Sequence, residues 1–110
     1  MNTLVKGNTW RRAVDLWLGA AGFITQVRGL GYPGDDIAAI RGPVALSVEA
    51  KNHRAINLAG WVDQAEGNAT GAQIPVVVAH RKGKSSVDDA YVVMSGRAFA
   101  RLIERLKEAL

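Results

Sequence analysis

The chain has 110 residues, too few for two domains, because each half would be too small to bury a core unaided. With no cysteine, disulfides, zinc-thiolate sites and thiol nucleophiles are excluded, and a reducing compartment fits. Fourteen basic against ten acidic residues give a net charge of +4, mild for a protein that coats DNA but suited to docking on a phosphate backbone.

No apolar run reaches the roughly 18 residues of a membrane span, and MNTLVKGNTW lacks the apolar stretch of a signal peptide. A soluble protein of the cell interior is expected. Basic residues gather at Lys6, Arg11 and Arg12, at Arg81, Lys82 and Lys84, and along Arg97, Arg101, Arg105 and Lys107. Asp35, Asp36 and Glu49 are concentrated in the middle of the chain. A basic chain with central carboxylates points to an anionic ligand reached through a bound cation.

In chain order, Trp10, Ala13, Val14, Trp17, Leu18 and Ala21 recur at helical spacing, so a first helix is predicted, capped by Asn8 or Thr9 and stopped at Gly22. Phe23 to Arg28 reads as a strand, followed by the turn-rich loop GLGYPG. Residues 36–40 and 44–49 then read as a hairpin joined by Gly42-Pro43. That turn pairs Arg41 with Val44, Ile37 with Val48 and Asp36 with Glu49. Ile37, Ala39, Val44, Leu46 and Val48 fall on a core face. Asp36, Ala38, Ala45, Ser47, Glu49 and Lys51 fall on the other, and a one-residue slip would bury the acids.

A helix is expected around Asn57 to Asn68, with Leu58, Trp61, Val62 and Ala65 inward. Ile74 to Ala79 and Tyr91 to Met94 read as strands, separated by the charged loop HRKGKSSVDD, for which mobility is expected. Ser95 caps a last helix with the stripe Phe99, Leu102, Ile103, Leu106 and Leu110. The order αβββαββα predicts an α/β domain spanning residues 1–110, a mixed sheet flanked by helices.

The chemistry-bearing pattern is Asp36, twelve intervening residues, then Glu49-Ala50-Lys51. Two carboxylates from adjacent strands suit Mg2+, which prefers oxygen ligands and retains waters. A lysine two residues past the second carboxylate points to the same side and can hold the nucleophile or the developing negative charge. Alone, this pattern is short and common; its placement across a hairpin raises its weight.

GDDIAAI followed by SVEAKNH resembles the PD-(D/E)XK nuclease superfamily. Together with KGNTW, INLAGWVDQAE, IPVVVAHRKGK and DDAYVVMSGRAFARLI, the chain resembles phage and actinobacterial Holliday-junction resolvase-like endonucleases over nearly its whole length. The resemblance implies a restriction-endonuclease-like core, Mg2+ or Mn2+ dependence, and cleavage of branched DNA by a homodimer in the cytoplasm of a bacterial or phage-infected cell. No further small-molecule cofactor and no membrane partner are expected. It assigns Asp36 and Glu49 as metal-binding carboxylates, Lys51 as the catalytic lysine, and the Ala50 backbone carbonyl as a further metal ligand. Asp35 is then expected to face solvent or a basic neighbour.

One position departs from the pattern. Where related resolvases carry a glutamate on the first helix, this chain has Arg11. Asp15, one turn later, is a candidate to replace that carboxylate, against an ordinary Arg11–Asp15 surface pair. Gln64 is a further candidate near the metal, against simple helix solvation. Lys6, Arg11, Arg12, His53, Arg54, Arg81, Lys82 and Lys84 are the candidate DNA-backbone contacts. His80 is expected in packing or against DNA, and Trp17 and Trp61 in the core. Two other readings stand beside a junction resolvase: a catalytically weak DNA-binding module of the same fold, and a nuclease acting on flaps, nicks or linear ends.

Overall fold

Eighteen consecutive residues form helix α1 (Thr3–Ala20), which begins before the expected Asn8 or Thr9 cap. Gly7 weakens a helix by about 1 kcal/mol relative to alanine, but it leaves the hydrogen-bond ladder intact and does not stop the helix. The computed structural model describes residues 3–28 and 34–110, with side chains from residue 7 onward. The Lys6 side chain and residues 29–33 of the expected turn-rich loop lie outside the described residues.

The other elements are β1 (Ile24–Val27), β2 (Ile37–Arg41), β3 (Leu46–Lys51), α2 (Leu58–Asn68), β4 (Ile74–Ala79), β5 (Tyr91–Val93) and α3 (Gly96–Ala109). The predicted order αβββαββα is the observed one. One sheet runs β1-β2-β3-β4-β5, antiparallel except for the parallel β3–β4 pair, which α2 connects. No helix among the described residues is long and apolar enough to cross a membrane.

The β2–β3 register is the predicted one: Ile37 pairs with Val48, Ala38 with Ser47 and Ala39 with Leu46. The connection is not the two-residue turn, however. Arg41 pairs with Ile24 of β1, and the Ala45 carbonyl accepts from the Ile74 N–H of β4 at 2.8 Å. Neighbouring strands on both sides thus draw the hairpin open over residues 42–45. Gly42 adopts φ 155°, and a Cβ built there would lie 2.5 Å from Phe23 Cδ1. A side chain is excluded both by conformation and by space.

Alternation along the strands builds two apolar layers. Ile37, Val48, Val76 and Val78 meet Trp10, Val14 and Leu18 of α1, while Val77 and Ala79 meet Trp61 and Ala65 of α2. This corrects the argument from slippage. Ser47 and Glu49 are fully buried in the correct register, because α2 covers the face they share. Leu58, expected inward, is 47% exposed, since it sits in the first turn of α2 before the helix closes on the sheet.

Asn57 caps α2 by accepting from the Gly60 N–H, and Ser95 caps α3 by accepting from the Ala98 N–H. The loop after β4 ends in a 3-10 turn, Val87–Asp89, with Val87 buried and Asp88 accepting from the Trp17 indole at 2.8 Å. Most of the α3 stripe is exposed: Phe99, Ile103, Leu106 and Leu110 face outward, while Ala98 is buried.

Candidate active site

The site lies where β2 begins and β3 ends. The Asp36 N–H donates to the Val48 carbonyl at 3.1 Å, and its carbonyl accepts from the Arg28 N–H at 2.8 Å. The backbone on both sides of Asp36 is therefore fixed before its side chain does anything. Its Oδ2 accepts from the Ala50 N–H at 2.9 Å, which latches the carboxylate to β3 beside Glu49. Ala50 thus meets Asp36 through its N–H.

Glu49 is 1% exposed, an unusual place for a carboxylate. Its Oε1 accepts from Asn68 Nδ2 at 2.7 Å, and the same amide nitrogen donates to the Gly34 carbonyl at 3.0 Å. Burial pushes the Glu49 carboxyl up from 4.5 to about 7. The nearby Asp36 charge adds to the rise, while the Asn68 hydrogen bond and the Lys51 charge oppose it.

Lys51 Nζ donates to Gln64 Oε1 at 2.6 Å, so Gln64 steers the ammonium from α2. The Lys51 carbonyl accepts from the His80 N–H at 2.8 Å, tying the end of β3 to the end of β4. Asp36, Glu49, Ala50, Lys51 and Gln64 are thus gathered in one place. Asn68 was missed. The signal for it was present: it stands one turn after Gln64 on the same helix stripe as Trp61 and Ala65.

Arg11 also reaches this site from α1. Its guanidinium lies 3.7 Å from Asp36 Oδ1 and donates to the Arg28 carbonyl at 3.0 Å. Among the described residues Asp15 forms no ion pair with Arg11; it accepts from the Thr25 hydroxyl of β1. Asp35 is buried rather than facing solvent, held by Arg28 at 3.3 Å and by the Ser47 hydroxyl at 3.0 Å. The basic neighbour was expected; the burial was not. It turns Asp35 into a strut under the strand start.

Beyond Lys51, a recess of about 250 Å³ is lined by Asn52, His53, Arg54, His80, Lys82 and Gly83. His53 tilts against Trp61 with ring centroids 5.6 Å apart, and His80 meets Trp10 edge-on at 4.9 Å. His80 thus packs within the chain and also borders a basic rim. Arg81 lies over the Tyr91 ring at 5.6 Å, which leaves its charge at the surface. Arg12, Arg54, Lys82 and Lys84 are exposed.

The donor set suits Mg2+ or Mn2+: hard carboxylate oxygens, one of them buried and held by an amide. Among the described residues no group of three or more His, Cys, Asp or Glu could hold a metal. A cation here would rest on Asp36 and Glu49, with backbone and water completing its shell.

No protein-family model matches the sequence, and no curated protein matches it. Among solved structures, the chain is similar to Archaeoglobus fulgidus Hjc, described as a Holliday junction resolvase from an archaeal hyperthermophile. The likeness has a TM-score of 0.57 and 22% identity, and covers 86% of this chain and 88% of that one. The chain has the restriction-endonuclease-like fold. In this chain Asp36 stands just before β2, Glu49 and Lys51 end β3, and α2 carries the amides of Gln64 and Asn68 that hold Lys51 and Glu49.

Proposed function

We propose that the chain is a metal-dependent, structure-selective DNA endonuclease that resolves Holliday junctions as a homodimer. The observation that carries this reading is the convergence of Asp36, Glu49 and Lys51 at one point, with Gln64 and Asn68 fixing the latter two. The similarity to a Holliday junction resolvase supports it. Asp36, Glu49 and the Ala50 carbonyl would hold Mg2+ or Mn2+. When bound, such an ion would supply charge neutralisation at the phosphate and lower the pKa of a water. Lys51, aimed by Gln64, would orient the attacking water and stabilise charge on the phosphate oxygens.

The exposed cations Arg12, Arg54, Lys82 and Lys84, with Lys6, Arg81 and His53, would grip the backbone. Contacts of this kind convey shape and position rather than base identity. A cytoplasmic location goes with a DNA substrate. Two opposed nicks require two sites, and a two-fold dimer is the simplest way to supply them. The exposed stripe Phe99, Ile103 and Leu106 on α3 offers apolar area for that contact. Trp10 does not, being 4% exposed within its own chain.

The test is cleavage of labelled four-way junction, flap, nicked and linear duplex with Mg2+ or EDTA. Paired symmetric cuts in the junction, lost in EDTA, are expected. Equal cleavage of all four substrates would instead mark a general nuclease. One observation favours a catalytically weak module: Arg11 pairs with Asp36 where resembling resolvases carry a glutamate. Tight junction binding without cleavage in Mg2+ or Mn2+ would decide for that reading.

A further inference from the structure

Arg11 sits where its charge opposes the ion the site would bind. Arg11 adds a second basic side chain, beside Lys51, to a site that holds the two carboxyl groups of Asp36 and Glu49. Arg11 is largely enclosed, with 16% of its side chain exposed, against 23% for Asp36. Its hold on Asp36 is nevertheless loose. The 3.7 Å separation exceeds a hydrogen bond, the firm bond goes to the Arg28 carbonyl, and the buried Nε has no partner among the described residues.

We propose that Arg11 is a resident countercation, which a divalent ion must displace from Asp36 in order to bind. This rests on the reading of Asp36 and Glu49 as the metal site. A guanidinium stays charged at every working pH, so it cannot step aside by losing its proton. It can leave only by moving. Asp36 Oδ1 is therefore the oxygen for which Arg11 and a metal would compete. Oδ2 is latched to the Ala50 N–H. The arginine thereby acts as a positioning residue that sets metal affinity, keeping it low until an ion outcompetes it.

The experiment is an Mn2+ titration of the intact chain without DNA, read from the electron paramagnetic resonance of free Mn2+. Arg11→Gln should bind Mn2+ at least about tenfold more tightly than the wild type, because a unit positive charge near the ligand is gone. Arg11→Lys, which keeps the charge, should stay near the wild type. Asp36→Asn should bind far more weakly than either.

If Arg11→Gln matches the wild type while Asp36→Asn weakens binding, the countercation is wrong and the metal site stands. If Asp36→Asn and Glu49→Gln both bind like the wild type, the metal site is wrong and the countercation falls with it. Should Arg11→Gln not fold, a structure of the wild type with Mn2+ gives the answer. Arg11 moved beyond ion-pair distance of Asp36 supports the proposal, and Arg11 still within 4 Å of Asp36 beside a bound ion overturns it.

Discussion

Replacing Glu49 by glutamine should make the metal-free protein more stable, and by an amount that grows with pH. The carboxyl titrates at 4.5 in the unfolded chain and at about 7 in the folded one, chiefly because it is buried. Between those values the folded state binds the proton more firmly than the unfolded state does. Wild-type stability from this group is therefore full below 4.5 and falls as pH rises toward 7. At about 1.4 kcal/mol per pH unit, the loss reaches roughly 3 kcal/mol by pH 8. Glutamine has nearly the same shape, stays neutral, and still offers Asn68 an acceptor in place of Oε1. The assay is urea unfolding of both proteins in EDTA at several values from pH 4.5 to 8. The difference in unfolding free energy should start small and widen in favour of Glu49→Gln by roughly 3 kcal/mol. A difference that stays flat over that interval would refute the reasoning, because it would mean that Glu49 is ionised at no cost. A wild type that gains on the variant as pH rises would refute it more strongly.

Neutralising Arg81, Lys82 and Lys84 together should weaken binding to all junction sequences alike and flatten the salt dependence by about 0.9 in logarithmic slope for each phosphate no longer neutralised; an unchanged slope in a binding titration would demote the loop to solvated surface. Leu106→Glu, on the exposed α3 stripe, should shift the protein from dimer to monomer in light scattering while leaving its helical content unchanged. Gly42→Ala should destabilise the fold by about 1–3 kcal/mol in denaturant unfolding, because it places a Cβ against Phe23 at a backbone angle that L-residues rarely adopt.

What could be read from the sequence was local or pairwise. Counting outward from Gly42-Pro43 paired Ile37 with Val48, and alternation in SVEAK and GDDIAAI agreed, because a one-residue slip would turn the large aliphatics to the other face. The unbroken apolar run of Ile74 to Ala79 marked a strand buried on both faces, and it is. Ser95 announced the last helix through capping chemistry that depends on three neighbouring residues.

Features set by distant elements were hidden. Glu49 looked solvent-facing because nothing near it in sequence reveals that α2 lies over its side of the sheet. Asn68 looked like the end of a helix, yet the tertiary fold brings its amide to Glu49 and to the Gly34 carbonyl. The hairpin connection depended on β1 and β4 claiming Arg41 and Ala45, two partners that turn chemistry alone does not see. Arg11 was visible as a departure; that it meets Asp36 was not.

The central claim is that Asp36, Glu49 and Lys51 form one hydrolytic site for DNA. Its most direct test compares wild type and Glu49→Gln on a labelled four-way junction with Mg2+, measuring cleavage and binding in the same samples. The wild type should make paired cuts that EDTA abolishes. Glu49→Gln should make none, while binding the junction as tightly as the wild type or more so, since a carboxylate near phosphate has lost its charge. Cleavage by Glu49→Gln at the wild-type rate would contradict the account.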